Sequence, residues 1–131
     1  MKNKCWSGHI NLRYLDTGKR ERIKNAILDA GLELTANLWL GNSTETFAQL
    51  QIEGAGVGDE LAKTISASYT VAAGVATVTS TAIFTSGEIT FDVTTIALIG
   101  SEGTRIAEAT VNITSGSAVE VTREDELTEA V

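Results

Sequence analysis

The second half of the chain alternates apolar and polar residues, and this period of two restricts the fold more than any other feature. Between residues 64 and 121 apolar residues recur at alternate positions, and most segments are separated by glycine-bearing turns. Successive side chains of a β-strand point to opposite faces, so each segment is predicted to be a strand. Five such strands, spaced roughly 8–15 residues apart, predict a mainly β chain that folds as an antiparallel β-sandwich or barrel-like domain. The predicted strands cover residues 64–73, 75–85, 88–100, 104–114 and 118–127.

A β-hairpin is predicted before these strands. Residues 8–15 alternate in the same way, "DTGK" at 16–19 has the Asp and Gly of a turn, and "RERIK" at 20–24 returns as a second strand. We expect residues 1–24 to form a basic N-terminal hairpin or arm. Residues 25–131 then form the main domain, which carries a helix and the sandwich. The last residues, "REDELTEAV", are predicted to be a frayed acidic tail.

One α-helix is predicted over about residues 25–40, where the apolar period changes to that of a helix. Asn25 is expected to cap its N-terminus and Gly41 to follow its end. The first apolar stripe consists of Ile23, Ile27, Ala30, Leu34 and Leu38. A second stripe, formed by Leu28, Leu32 and Trp39, lies on another side. The helix therefore needs cover on two sides, from its own fold or from a second subunit, and the pattern leaves both open.

Charge is unevenly distributed along the chain, whose net charge is −7. Residues 1–24 hold seven basic and two acidic residues, a local charge of +5, and the remainder is acidic. An acidic body repels phosphate, so nucleic acid is not expected as a partner. The basic end suits an acidic neighbour, including another copy of the chain. The alternative is an ordinary solvated hairpin; the docking candidates are Lys19, Arg20, Arg22 and Lys24.

The sequence offers little for catalysis, and we expect no enzyme and no cofactor. Cys5 and His9 are the only cysteine and histidine, too few for a zinc site. The glycines of "EGAGVGDE" at 53–60 are flanked by acids, which disfavours phosphate and leaves a calcium ion as a weaker alternative. No apolar stretch reaches the roughly 18–20 residues that span a bilayer, so no membrane partner is expected. The single cysteine and the lack of an apolar leader fit synthesis in a reducing cytosol.

The layout of the chain resembles a family of small structural proteins of tailed bacteriophages. "NAILDAGLELTANLWLGNST" at 25–44 is similar to the helix that opens the family's domain, and "FAQLQIEGAGVG" at 47–58 stands where the family has an extended segment and a glycine-rich loop. "VTTIALIGSEGTRIAEATV" at 93–111 has the layout of its strand–turn–strand, followed by "SGSAVEVTREDEL" as the last strand. Thr95 and Ala97 depart from the pattern, where the family often has an acid and a glycine.

The resemblance implies a non-enzymatic virion protein, made in the cytoplasm of the bacterial host. The first expectation is a capsid decoration or head accessory protein, and the alternative is a tail-fibre or baseplate attachment module. The implied partners are further copies of the chain, for which a trimer is one closed form, and virion proteins such as the major capsid protein. A small ligand- or carbohydrate-binding β-domain is the alternative from another class.

The interface candidates come from three places in the sequence. The first set is the four basic residues of the hairpin, and the second is the Leu28, Leu32 and Trp39 stripe of the helix. The third set is Ile96 and Leu98, because their strand is apolar on both faces. Such a strand is either central in a sheet or covered at an interface.

Overall fold

In the computed structural model, which describes residues 6–128, ten strands form two antiparallel sheets and one helix packs beside them. Sheet A has the strand order β2–β1–β10–β7–β6, and sheet B has the order β3–β9–β8–β4–β5. The mainly β, sandwich-like fold is confirmed, and neither sheet closes into a barrel within the described residues. The elements are β1 (Trp6–Tyr14), β2 (Arg20–Lys24), β3 (Ala26–Ile27), α1 (Asp29–Trp39), β4 (Phe47–Glu53), β5 (Glu60–Thr64), β6 (Ser66–Ala72), β7 (Val75–Phe84), β8 (Val93–Gly100), β9 (Arg105–Ile113) and β10 (Val119–Thr128).

The core lies between the two sheets, on the faces that the alternation predicted to be apolar. From sheet A it receives the side chains of Ile10, Leu12, Ala82, Phe84, Val119 and Val121. From sheet B it receives those of Leu50, Ile52, Ile96, Leu98, Ala107, Ala109, Val111 and Ile113. Burial of the Val, Leu, Ile and Phe side chains among them contributes about 1.5–3 kcal/mol each and is the main force that holds the sheets together.

The helix begins at Asp29, so the prediction that it begins at residue 25 with Asn25 as its cap was wrong. Asn25 is buried, and the next two residues pair with β9 as the short strand β3. The backbone N–H of Leu28 then donates to the carbonyl of Ile106 at 2.9 Å. This strand pairing holds the chain extended until the helix begins. The predicted end is confirmed, because Gly41 has a φ of 75°, the left-handed conformation that glycine supplies there.

One side of α1 packs on β9 at Gly31, and Leu34 and Leu38 of the same helix join the hydrophobic core. Gly31 allows this contact, since a Cβ atom at that position would collide with the carbonyl oxygen of Ile106. The second apolar stripe of the helix points away from the core, with Leu32 exposed. Within residues 6–128, no helix is both long and apolar enough to cross a membrane.

Both ends of the described chain are integrated into sheet A. β1 pairs with β2 on one side and with β10 on the other, so residues 6–24 are part of the sandwich. The prediction that residues 123–128 belong to a frayed tail was wrong, because they lie in β10 between β1 and β7. Arg123 and Asp125 are buried there. The described part of the chain does not include residues 1–5, among them Cys5, or residues 129–131. The predictions for these residues therefore concern positions outside the described range.

Candidate subunit interface

Four strands lie at the edges of the two sheets, and three of them are protected against pairing with another chain. An edge strand carries unpaired N–H and C=O groups, which native proteins guard by short length or by charge. β3 has only two residues; β2 reads "RERIK" and β5 reads "ELAKT", so both carry charge. β6 differs, because it is seven residues long and reads "SASYTVA", with neither a charge nor a proline. Of these four edges, β6 is the one open to strand pairing.

The chain reaches this edge by crossing from one sheet to the other. β5 ends at Thr64 in sheet B, and after Ile65 the chain enters sheet A as β6. β6 then pairs with β7 over seven residues, from Ser66 opposite Thr81 to Ala72 opposite Val75. Ala73 and Gly74 join the strands, with φ values of 52° and 79°. Positive φ at both positions is the type I′ turn whose twist matches that of a two-stranded ribbon. We call residues 66–84 the β6–β7 hairpin.

The face of the hairpin that continues the core side of sheet A is not covered by any of residues 6–128. The register places Ala67, Tyr69 and Val71 on the same face as Ser80, which is buried. The predicted alternation of residues 65–71 is therefore present in the strand. All seven residues of β6 are nevertheless exposed, with Tyr69 at 74% and Val71 at 68%. An apolar strand face is thus left in contact with solvent.

The hairpin also lies in the longest uncharged stretch of the chain. No charged residue occurs from 64 to 87, between Lys63 and Glu88. These two flanking charges pair with each other, because the Lys63 ammonium donates to the Glu88 carboxylate at 2.6 Å. That hydrogen bond, together with bonds from Thr85, lowers the pKa of Glu88 to about 2. The surface around β6 is thus neutral in a chain that is acidic as a whole.

The basic residues predicted to dock on a partner lie on β2 and the turn before it, and two of them pair within the chain. Lys19 lies 3.2 Å from Glu21, and Arg22 lies 3.4 Å from Glu124 of β10. Arg20 and Lys24 are exposed on β2, and no ion pair joins either to another described residue. The local positive charge is therefore partly neutralised by Glu21 of β2 and Glu124 of β10, and two cations remain for a partner.

The helix candidates lie at the surface in different degrees. Leu28 is half-buried beside the start of α1, Leu32 is exposed, and Trp39 is 80% exposed at the end of the helix. The side of the helix that lacks cover is therefore the second stripe. The first stripe is split: Leu34 is buried, and Ala30 is exposed.

Ile96 and Leu98 are fully buried, which removes them from the set of interface residues. Their strand, β8, lies in the middle of sheet B between β9 and β4. Its inner face packs in the core. On the outer side Ala97 is also buried, beneath an ion pair in which Arg105 of β9 reaches Glu53 of β4 at 2.6 Å. The strand is apolar on both faces because it is central, and a second subunit is not needed to cover it.

Tyr69 and Val71 are interface candidates that the sequence patterns did not single out. Apolar and polar residues alternate around them as they do in the covered strands, so the alternation could not identify these two side chains as exposed. The available signal was the absence of charge from residue 64 to residue 87. The hairpin offers hydroxyl, methyl and phenol groups, which suit packing and backbone pairing. Among residues 6–128, no three His, Cys, Asp or Glu side chains are grouped so as to hold a metal ion.

Comparisons with protein-family models, with curated proteins and with solved structures returned no match for this chain. The uncovered β6–β7 hairpin and the residue pattern of 8–127 are therefore the grounds on which a function can be inferred.

Proposed function

We propose that this chain is a non-enzymatic structural protein of a tailed-bacteriophage particle, acting by self-association as a capsid decoration or head accessory protein. The single observation that carries the self-association is the uncharged, uncovered β6–β7 hairpin. The assignment to a virion is supported by the resemblance of residues 8–127 to small phage structural proteins.

Charge favours contact between copies at this hairpin. Two molecules with a net charge of −7 repel each other wherever acidic surfaces approach. The neutral surface of residues 64–87 minimises that repulsion. Its exposed Tyr69 and Val71 supply apolar area, and the free edge of β6 supplies backbone donors and acceptors. Apolar area with backbone pairing is the combination used when one protein adds a strand to the sheet of another.

A second surface suits docking on the particle. Arg20 and Lys24 lie on β2, which is the edge of sheet A opposite to β6. Self-association and docking would then use opposite edges of one sheet and would not compete. The docking partner has an acidic surface under this proposal, and the major capsid protein is the first candidate.

The proposal is tested by purifying particles on a density gradient from the culture that produces the chain. Quantitative mass spectrometry should find the chain in a constant ratio to the major capsid protein. Immunogold labelling should mark heads; labelling of tails instead would favour the tail-fibre or baseplate alternative. An abundant host cytosolic protein serves as the control that stays in the soluble fraction. If the chain fractionates with this control and not with the particles, the virion assignment is overturned. Specific binding on a glycan array would favour the carbohydrate-binding alternative.

A further inference from the structure

We infer that the partner of β6 is a second copy of this chain, and that two copies join by antiparallel pairing of their β6 strands about a two-fold axis at Tyr69. The inference rests on the self-association proposed above and adds its geometry. The two five-stranded A sheets would become one continuous sheet of ten strands.

The chemistry of β6 is self-complementary about its central residue. Pairing all seven residues of β6 with the same strand of a second copy places Tyr69 opposite Tyr69. Ser68 then lies opposite Thr70, and Ala67 opposite Val71, so hydroxyl meets hydroxyl and apolar meets apolar. Directly opposed residues of this kind stabilise antiparallel pairs by roughly 0.2–1 kcal/mol each. A two-fold contact needs a patch that matches itself, and β6 meets this requirement.

The apolar side chains on the inner face of β6 would gain neighbours within the sheet through the same contact. Ala67, Tyr69 and Val71 share one face of the strand. Antiparallel pairing keeps opposed side chains on one face, so the two Tyr69 rings lie beside each other at the axis and each Val71 packs on Ala67 of the second copy. The face that one chain leaves in solvent thus gains apolar neighbours along its length.

Charge argues for a second copy rather than for a strongly charged partner. An acidic or basic peptide would find no complementary charge along residues 64–87. Pairing of two β2 strands, in contrast, would bring Arg20, Arg22 and Lys24 of both copies together, and like charges directly opposed are destabilising. Each copy has one β6 edge and the pairing uses it completely, so this contact closes as a dimer and cannot build a trimeric ring.

Sedimentation equilibrium of the full chain and two variants tests the inference. Wild type should sediment at twice the mass of one chain. Tyr69→Lys should raise the dimer dissociation constant at least about tenfold, because it places two ammonium groups on the axis. Trp39→Lys is the matched control, since Trp39 is an aromatic residue of similar exposure but lies on α1, and it should leave the constant unchanged. Circular dichroism and thermal unfolding verify that both variants remain folded. A monomeric wild type, a trimer, or dissociation by Trp39→Lys alone would overturn the inference.

Disulfide cross-linking in a Cys5→Ser background tests the register. Tyr69→Cys should form a disulfide-linked dimer under mild oxidation, because the two residues face each other at the axis. Ala67→Cys alone should not, because its two copies are four positions apart along the strands, roughly 13 Å at 3.3–3.4 Å per residue. That distance exceeds the limit of about 7 Å between the Cα atoms of a disulfide. Mixing Ala67→Cys with Val71→Cys should restore the cross-link; cross-linking by Ala67→Cys alone would contradict the register.

Dimerisation through β6 and incorporation into particles are tested separately, so each can fail without the other. If Tyr69→Lys remains associated as strongly as wild type and the chain is found in particles, the β6 contact is wrong and the virion assignment stands. If Tyr69→Lys separates the dimer and the chain is absent from particles, the β6 contact stands and the virion assignment is wrong.

Discussion

Arg123 and Asp125 form an ion pair that lies entirely inside the sandwich. Both residues are on the inner face of β10, and Arg123 donates two hydrogen bonds of 2.7 Å to the carboxylate. The indole N–H of Trp6 also donates to this carboxylate, at 3.1 Å. Removing two charges from water costs several kcal/mol per ion, which their attraction offsets only while both partners are present.

We therefore expect Asp125→Ala to lower the free energy of unfolding by about 3–5 kcal/mol, because it leaves a guanidinium buried without its counter-charge. Urea unfolding followed by circular dichroism measures the change. The double variant Arg123→Met/Asp125→Leu is the control: it removes both charges and should lose much less stability than the single variant. Equal losses in the two variants would show that packing, and not the unpaired charge, is responsible.

Glu45 holds the turn between β8 and β9 through its buried carboxylate. The carboxylate accepts hydrogen bonds from the Thr104 hydroxyl at 2.6 Å and from the backbone N–H groups of Glu102 and Thr104 at 2.9 and 3.0 Å. The bond from the Thr104 hydroxyl is the main cause that lowers the pKa of Glu45 below its ordinary 4.5. Gly100 is needed beside it, because a Cβ atom there would collide with this carboxylate.

A lowered folded-state pKa makes Glu45 stabilising above about pH 4.5, and this stabilisation is lost as the pH falls through the folded-state pKa. We expect the wild-type protein to lose stability as the pH falls below about 4.5. Glu45→Gln should be less stable than wild type at pH 7, and its stability should fall less on acidification. Urea midpoints at pH 7, 5 and 3 measure both effects. Glu60→Gln, an exposed carboxylate on β5, is the control and should keep the wild-type pH profile. An unchanged profile in Glu45→Gln would contradict the assignment.

At the scale of single elements, the contact between α1 and β9 depends on Gly31. Alanine favours a helix by about 1 kcal/mol over glycine, so propensity alone predicts that Gly31→Ala is stabilising. The Ile106 carbonyl occupies the place of the new methyl group, and overpacking of this kind costs about 1–3 kcal/mol. We expect a net loss of stability, measured as a lower thermal midpoint. Glu33→Ala, at an exposed position of the same helix, should leave the midpoint nearly unchanged; a rise in Gly31→Ala would contradict the close packing.

The elements differ in how far their sequences could predict them. The hairpin of β1 and β2 and the strands β7, β9 and β10 follow from a period of two, which depends only on local geometry. The start of α1 could not be predicted, because Asn25 is a residue type that commonly caps helices. Its burial, and the pairing of the next two residues with β9, depend on the tertiary structure. In "REDELT" the charges looked like a solvated tail, but Arg123 and Asp125 are two positions apart and therefore share the inner face of one strand.

The exposed face of β6 could not be predicted from alternation for a related reason. A strand pattern indicates which face is apolar, but the cover of that face depends on where the opposite sheet ends. Tyr69 and Val71 alternate as regularly as Val119 and Val121, which are buried. The difference between the two strands is position: β10 is central in sheet A, and β6 is its edge.

In the whole molecule, charge changes across sheet A from one edge to the other. β2 is basic, β10 carries Glu120, Glu124 and Glu126, and β7 and β6 are neutral. Arg13 and Arg22 pair with Glu120 and Glu124, so the basic and acidic strands neutralise each other in part. Among residues 6–128, the exposed cations without an ion pair, Arg20 and Lys24, are at the edge opposite to β6. This arrangement allows a dimer to form through β6 while the β2 edge of each copy stays available for an acidic surface.

We expect the double variant Arg20→Gln/Lys24→Gln to bind particles more weakly than wild type but to dimerise equally well. Co-sedimentation of purified protein with particles measures the first property, and sedimentation equilibrium measures the second. Binding of wild type should also weaken between about 0.1 M and about 1 M salt, since the screening length falls from about 10 Å to about 3 Å. Val57→Glu/Ser86→Glu changes the net charge by the same amount at exposed sites away from β2, so it should bind nearly as well as wild type. If both double variants bind particles equally weakly, the effect is due to net charge. If neither salt nor the Arg20→Gln/Lys24→Gln substitutions weaken binding to particles, the β2 edge is excluded as the docking surface.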